Sequence, residues 1–513
     1  MAKHGRRNIR LFLIAISCFI SVVGIGQRSG KPNVLLISVD DMRDWVGFLK
    51  GYGGTVYTPG IDMLAAEATG FTNAHTAATV CCPSRASLFL GKRPSTTGIY
   101  NNDHWWKPAY PDELPMPQYF KNNGYYVAGA GKNFHDPPGN NPPCSWDEYQ
   151  EMVFDSPWNY AKWSVEQYAI RYGFRGPIVQ DPDFMPLNGM LPINSPMDWG
   201  VIPGLEEKNY GDVAAVNYAR DFFDKDHDKP FFLSVGIFRP HLPWYVPQKY
   251  FDLYPLEEIV LPPVRENDLE DLPEEGKKMT RASYFNRLKK EGKWKEAVRA
   301  YLASISFADK RVGDIYEALK KSKYADNTII VFWSDHGYHL GEKEHWQKST
   351  LWETSTRIPF IMKVPGITKP GKTCEQPVDL ANVYPTLLSL CGFQQKNDLD
   401  GHDMSPLLRN PEEKWNWPAI TEMGQGKVAV RTRDWRYIRY SDSTEEFYDR
   451  RKDPNEWNNL AKEKKYASKI NEHRKWVPIK FAQPVRGKDA YFFDPASYSW
   501  LIKETKEYID GKK

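Results

Sequence analysis

The segment Thr79-Val80-Cys81-Cys82-Pro83-Ser84-Arg85 sets a thiol two residues before a proline and four before an arginine. Pro83 suits the first turn of a helix, where its missing N–H costs nothing, and Gly91 suits the stop. The pattern predicts a short helix with Cys81 at its N-terminus, the end whose free N–H groups and macrodipole attract anions. Arg85, one turn on, brings a planar donor fork suited to oxyanions to the same point. The chemistry that fits is the handling of an anionic tetrahedral group beside a special cysteine. Were Cys82 the special one, Pro and Arg would fall out of register, so Cys82 reads as a small buried apolar residue.

Two acidic dipeptides belong with this motif. Asp40-Asp41 follows the apolar run Val34–Val39, and Asp335-His336 follows Ile329–Trp333. Either pair alone reads as a solvated loop or a helix cap. Together with Cys81 they form a donor set rich in carboxylate oxygen, which suits a hard divalent cation, calcium more readily than zinc. Lys132, His135 and His241 follow two further apolar runs. As isolated residues they would be a snorkelling lysine and two satisfied loop histidines. The cysteines show no zinc spacing.

These residues need a scaffold that gathers strand ends. The runs Val34–Val39, Tyr125–Ala130, Phe231–Ile237 and Ile329–Trp333 read as buried parallel strands. Helical patterns over Tyr210–Phe223, Glu296–Ser322 and Leu380–Cys391 separate or follow them. Alternation of this kind predicts an α/β fold: a doubly wound, mostly parallel sheet flanked by helices. Ligands bind at the carboxyl ends of such strands, where all the polar residues above fall. From His135 to about Leu205 the chain is rich in Pro, Trp, Asn and Asp, as pocket-shaping loops are. After Pro411 come the short alternating runs Lys427–Arg431, Trp435–Tyr440 and Glu446–Asp449. They predict a smaller C-terminal α+β subdomain with an antiparallel sheet and a late helix. The expected division is a leader over 1–27, a catalytic domain over 31–410 and the subdomain over 411–513.

The 513 residues carry 68 Lys+Arg against 65 Asp+Glu, and four of the basic residues (Lys3, Arg6, Arg7 and Arg10) lie in the leader. The remainder is close to neutral, which argues against nucleic acid as a partner. An anionic substrate must be met by local charge. Basic residues, the apolar run Leu11–Ile25 and a polar stretch make the leader a secretory signal rather than a stable membrane span. The protein is expected to be exported, to a periplasmic or extracellular site. Export permits disulfides, and among the six cysteines Cys374 and Cys391 are a candidate local pair.

Taken together, the motifs resemble those of a type I, formylglycine-dependent sulfatase of the alkaline phosphatase superfamily. The resemblance is carried by Asn33–Asp41, Cys81-Cys82-Pro83-Ser84-Arg85, Ser334-Asp335-His336-Gly337, Gly341-Glu342, Trp346-Gln347-Lys348 and Arg357-Ile358-Pro359. Gly131-Lys132-Asn133-Phe134-His135 and Arg239-Pro240-His241-Leu242-Pro243 make it most similar to the iduronate-2-sulfatase branch. Glu446-Phe447-Tyr448-Asp449 and Asp453-Pro454-Asn455-Glu456 resemble that family's C-terminal subdomain. The likeness implies that a formylglycine-generating maturation enzyme converts Cys81 to Cα-formylglycine. Of the hydrated aldehyde's two hydroxyls, one attacks sulfur and the other lets the sulfated adduct collapse, an exit a cysteine S-sulfate lacks. By the same resemblance Asp40, Asp41, Asp335, His336 and modified Cys81 hold one calcium ion. Arg85, Lys132 and Lys348 supply positive charge to the sulfuryl group, His241 protonates the leaving alcohol, and His135 steadies the diol or released sulfate. His339 and His345 are left as structural. The implied substrate is a sulfated polysaccharide or oligosaccharide, and the 14% aromatic content offers rings that can stack on sugars. Two other readings stand beside it: a phosphonate or phosphodiester hydrolase with the same site, and a glycan-binding protein whose Cys81 is not matured.

Overall fold

The computed structural model describes residues 30–135, 138–152, 187–190 and 197–513, together with Met1. The leader and most of the Pro- and Trp-rich segment lie outside the described residues. Eight strands form the central sheet: β1 (Asn33–Val39), β2 (Thr69–Phe71), β3 (Tyr126–Gly131), β4 (Glu148–Gln150), β5 (Phe231–Ile237), β6 (Thr328–Ser334), β7 (Phe360–Lys363) and β8 (Lys372–Cys374). Their order is β8-β2-β7-β6-β1-β5-β3-β4. All neighbours are parallel except the pairs made by β7, which runs against both β2 and β6. The expected fold class is thus observed, with strands β2, β4, β7 and β8 too short for periodicity to reveal.

Strand alternation explains why both faces are covered. Leu35, Ile37 and Val39 point into one core with helices α1 (Pro59–Ala66), α3 (Gly211–Asp224) and α4 (Trp294–Lys321). Val34 and Leu36 point into the other with α2 (Cys81–Leu90) and α5 (Val383–Leu390). β1 is buried along its whole length, as a central parallel strand should be. Helix α2 has the predicted bounds: Pro83 lies in its first turn, and Gly91 closes it in the left-handed conformation at φ 68. The segment from Leu380 starts as a 3₁₀ turn, Leu380–Asn382, before α5 proper.

Cys374 and Cys391 are separate buried thiols, not a disulfide. Cys374 ends β8 and its Sγ bonds the Pro411 carbonyl at 3.3 Å, while Cys391 follows α5. Spacing in sequence brought them near only in number.

Past Pro411, β9 (Ala419–Glu422), β10 (Val428–Arg431), β11 (Trp435–Arg439) and β12 (Glu445–Asp449) form an antiparallel sheet. Helix α6 (Ala467–Arg474) packs on it through Ile470. A final three-stranded sheet spans Tyr491–Asp510. The first of these sheets is tied inward by Glu446, which accepts from Trp352 Nε1 at 2.8 Å and from the Tyr448 hydroxyl at 2.7 Å. Among the described residues, no helix is long and apolar enough to cross a membrane.

Helices α1 and α4 meet at glycine. A Cβ on Gly60 would lie 2.5 Å from the Asp309 carbonyl oxygen and 2.9 Å from Gly313 Cα. Asp309 also caps α1, accepting from the Gly60 and Ile61 N–H groups at 3.0 and 2.7 Å. Gly60→Ala is expected to force these helices apart and destabilise the fold by about 1–3 kcal/mol, read as a lowered denaturation midpoint.

Candidate active site

β1 and β6 are neighbours, so their carboxyl ends deliver Asp40-Asp41 and Asp335-His336 side by side. Local bonds fix the two turns against each other. The Asp41 N–H donates to Asp335 Oδ1 at 3.0 Å, and the Met42 N–H to Ser334 Oγ at 3.0 Å. Asp41 is left-handed at φ 62, a conformation that Asp tolerates better than most residues. Tyr301 of α4 holds it there, its hydroxyl donating to the Asp41 carbonyl at 2.7 Å. Helix α2 enters from the opposite face, and Ser84 Oγ donates to the Asp335 carbonyl at 2.6 Å. One ligand atom from each of Asp40, Asp41, Cys81, Asp335 and His336 falls within 4.8 Å of all the others, and all five residues are buried.

Three cations answer the three carboxylates. Arg85 reaches Asp335 Oδ2 through Nε at 3.1 Å and Asp40 Oδ1 through a terminal nitrogen at 3.2 Å. Its other terminal nitrogen donates to the Lys132 and Asn133 carbonyls at 2.6 and 2.9 Å. The guanidinium also lies over the Trp333 ring at 5.3 Å. Arg85 therefore aligns the carboxylates and the loop that follows β3. Lys132 Nζ pairs with Asp40 Oδ2 at 2.5 Å. Lys348 Nζ sits 2.6 Å from Asp41 Oδ1 and 3.0 Å from Cys81 Sγ.

Protonation follows from this packing. Burial works against charge on Asp40, yet Lys132 and Arg85 hold its carboxyl well below the usual range. Asp41 is also lowered, with Lys348 the largest charge set against burial. Asp335 goes the other way, raised by burial and by the charge of Asp40. That is the electrostatic situation a bound cation relieves. Burial pushes the Cys81 thiol well up, so an unmodified side chain here is no thiolate and a poor nucleophile.

His336 and His241 are oriented by backbone carbonyls. His336 Nδ1 lies 3.0 Å from the Gly337 carbonyl, which can only accept, so in a neutral ring the lone pair is on Nε2, which faces the cluster 3.3 Å from Cys81 Sγ. This is the tautomer a metal-ligating histidine needs. His241 Nδ1 likewise donates to the Leu242 carbonyl at 2.6 Å, leaving Nε2 3.9 Å from Asp41 Oδ2. Burial lowers His241 to about 4, which keeps the ring neutral near pH 7. His135 is buried three residues beyond Lys132, after β3. His345 Nε2 bonds the Lys348 carbonyl at 2.8 Å, and His339 Nε2 bonds Thr350 Oγ1 at 2.9 Å. Both support the loop that carries Lys348.

The donor set fits a hard divalent ion: three carboxylates, a correctly turned imidazole and no exposure to competing water. The supporting roles of Ser84, Ser334 and Tyr301 went unread in the sequence. Ser84 and Ser334 lie inside the motifs themselves, whereas nothing local to Tyr301 marks it.

A family model described as Sulfatase matches residues 32–393. A second, described as N-sulphoglucosamine sulphohydrolase, C-terminal, matches residues 341–477. The chain is similar to a sulfatase of Formosa agariphila, with 37% identity over 91% of this chain and 92% of that protein. It is 32% identical to iduronate 2-sulfatase of Homo sapiens over 76% of this chain and 75% of the relative. A solved structure in complex with its substrate D-glucosamine-2-N,6-O-disulfate superposes with a TM-score of 0.66 at 21% identity. That alignment covers 87% of this chain and 97% of the other, and at such identity it speaks for the fold alone. Matched across most of its length by the family and its relatives, the chain belongs to the sulfatase family and is a sulfuric ester hydrolase.

Proposed function

We propose that the protein removes sulfate ester groups from a sulfated polysaccharide or oligosaccharide, using a formylglycine made from Cys81 and one bound calcium ion. The observation that carries this reading is the convergence of Asp40, Asp41, Cys81, Asp335 and His336 within 4.8 Å. Similarity to an iduronate 2-sulfatase, whose name states a sugar acid, supports a glycan substrate, and a sulfated uronic acid or similar sugar is favoured. Export through the leader of residues 1–27 belongs to the same reading, as does maturation by a formylglycine-generating enzyme.

Asp40, Asp41, Asp335, His336 and modified Cys81 would hold the calcium, whose charge offsets that of the sulfate oxygens and of the nucleophile. Formylglycine supplies a hydroxyl nucleophile where the plain thiol supplies none. The chain's own residues then divide the work. Lys348, 3.0 Å from Cys81 Sγ, and Lys132, paired with Asp40, place fixed positive charge near the transferring group. Arg85 keeps the carboxylates from turning toward substrate. His241 Nε2 is the atom that can hold a proton for the leaving alcohol. The ring is neutral in the free site, so that proton must come from the attacking hydroxyl or be taken from solvent as the anion binds.

Mass spectrometry of the peptide containing Cys81, from protein made in its native host, is expected to show the aldehyde. Cys81→Ala should abolish desulfation of defined sulfated oligosaccharides, and an intact thiol in active protein would overturn the reading. Turnover of an aryl sulfate well above that of an aryl phosphate diester separates this function from phosphonate or phosphodiester hydrolysis. Arg85→Lys keeps a charge but loses the fork, and calorimetric titration of chelator-stripped protein should show calcium affinity weakened roughly 10- to 100-fold. His241→Ala should slow a sugar sulfate by about 10²- to 10⁴-fold. The same change should slow nitrophenyl sulfate far less, because a phenolate leaves without a proton.

A further inference from the structure

A cleft of about 620 Å³ opens at the same edge of the sheet as the active site, within the range of about 300–1,000 Å³ typical of ligand sites. Thr72 and Asn73 line it just past the carboxyl end of β2, and Arg357 lines it just before β7. Because β7 runs antiparallel, its start lies level with the end of β6 that delivers Asp335. β7 and β2 stand one and two places from β6, so at a strand spacing of about 4.8 Å the cleft lies about 10 Å along the edge from the carboxylate cluster.

Its lining carries Arg357, Arg431, Arg433, Arg450 and Arg451, opposed by Glu353, Glu375 and Asp434. Positive charge is in excess, and the floor is where it is most crowded. Glu353 pairs with Arg431 at 3.1 Å, with Arg450 at 3.5 Å and with Arg436 beneath them, and Glu456 pairs with Arg450 at 3.4 Å and with Arg436 at 2.6 Å. Burial lowers Arg431 to about 10; Glu353 draws it up, while Arg450 and Arg436 press it down again. Arg357 also donates to Asp44 Oδ2 at 3.1 Å, three residues past Asp41. At the mouth, Arg433 and Arg451 are 62% and 64% exposed, with partners Glu375 and Asp434 at 2.5 and 3.5 Å. Exposed pairs of this kind are worth little, so these guanidiniums can be redirected to a better anion. Planar forks in a cleft suit oxyanions such as sulfate and carboxylate.

We propose that this arginine cleft is a second anion subsite, which receives a further sulfate or carboxylate of the same glycan whose reacting sulfate ester lies at Cys81. The proposal rests on the glycan reading above and deepens it: the preferred substrate is an oligosaccharide with at least two anionic groups. A bland rival assigns the arginines only to fastening the C-terminal sheet.

The test compares the wild type with the double variant Arg433→Ala, Arg451→Ala, whose exposed positions leave the floor network intact, with an unchanged thermal midpoint as the control for folding. In the binding arm, both carry Cys81→Ala and are titrated calorimetrically with a heparin-derived tetrasaccharide and with its desulfated counterpart. Affinity for the sulfated chain is expected to fall about tenfold, equivalent to about 1.4 kcal/mol. A matching loss with the desulfated chain assigns the subsite to carboxylate, and no such loss assigns it to sulfate. In the turnover arm, KM for the tetrasaccharide should rise while kcat/KM for nitrophenyl sulfate stays within about twofold. Equal tetrasaccharide affinity in the two proteins, or an equal loss with the small ester, overturns the subsite. Arginine-dependent binding without any desulfation overturns the glycan sulfatase reading and leaves the subsite standing.

Discussion

Burying three carboxylates within one small space is the constraint on which the rest of this molecule depends. Each charge removed from water costs several kcal/mol before compensation, and Asp40 and Asp335 have no exposed side-chain surface at all. Compensation by flexible surface cations would be too loose. The chain instead buries the guanidinium of Arg85 completely and spends its donors on Asp40, Asp335 and two carbonyls. A central sheet covered on both faces is what makes such placement rigid. β1 and β6 cannot shift without breaking their ladder, so the two acidic turns keep their separation.

Rigidity at the site is bought locally with backbone strain. Asp41, Gln347 and Ser349 all have positive φ, at 62, 80 and 74, and residues other than glycine pay of order 1–3 kcal/mol for such positions. Two of the three flank Lys348. The loop is kept in shape by Arg281, which donates to Gln347 Oε1 at 2.6 Å, and by His345, whose Nδ1 accepts from the Arg281 N–H at 2.8 Å. The ammonium group of Lys348 is thus aimed by its supports and not by its own preference, beside the sulfur of Cys81.

How far this could be read from the chain varied with how local the cause was. The four long strands were visible because central parallel strands are uniformly apolar, and α2 because Pro83 and Gly91 mark its two ends. The metal-type cluster was readable because polar residues at strand ends converge in any doubly wound sheet. Arg85 was expected to face the sulfuryl group, and what sequence could not convey is that its donors are already engaged with carboxylates and carbonyls. Short strands such as β7 carry too few residues for periodicity, and the antiparallel sense of β7 depends on neighbours far away in the chain. The arginine cleft was invisible for the same reason: Thr72, Arg357 and Arg431 meet only through strand order. Cys374 and Cys391, by contrast, were close in sequence, and one of them follows a helix while the other ends a strand.

Charge distribution links these observations. Excess basic charge is small for the whole chain, +3, and a near-neutral surface exerts little long-range pull on a polyanion. Attraction must therefore come from places where cations outnumber their partners over short distances. At the catalytic cluster, Arg85, Lys132 and Lys348 are matched by carboxylates, which leaves the site able to accept a divalent ion and an anion together. At the cleft beside β2 and β7, five lining arginines face three lining carboxylates, and the pairs at the mouth are exposed enough for an incoming anion to displace them. A substrate bearing one sulfate has a reason to enter only the first; one bearing several has a reason to span both.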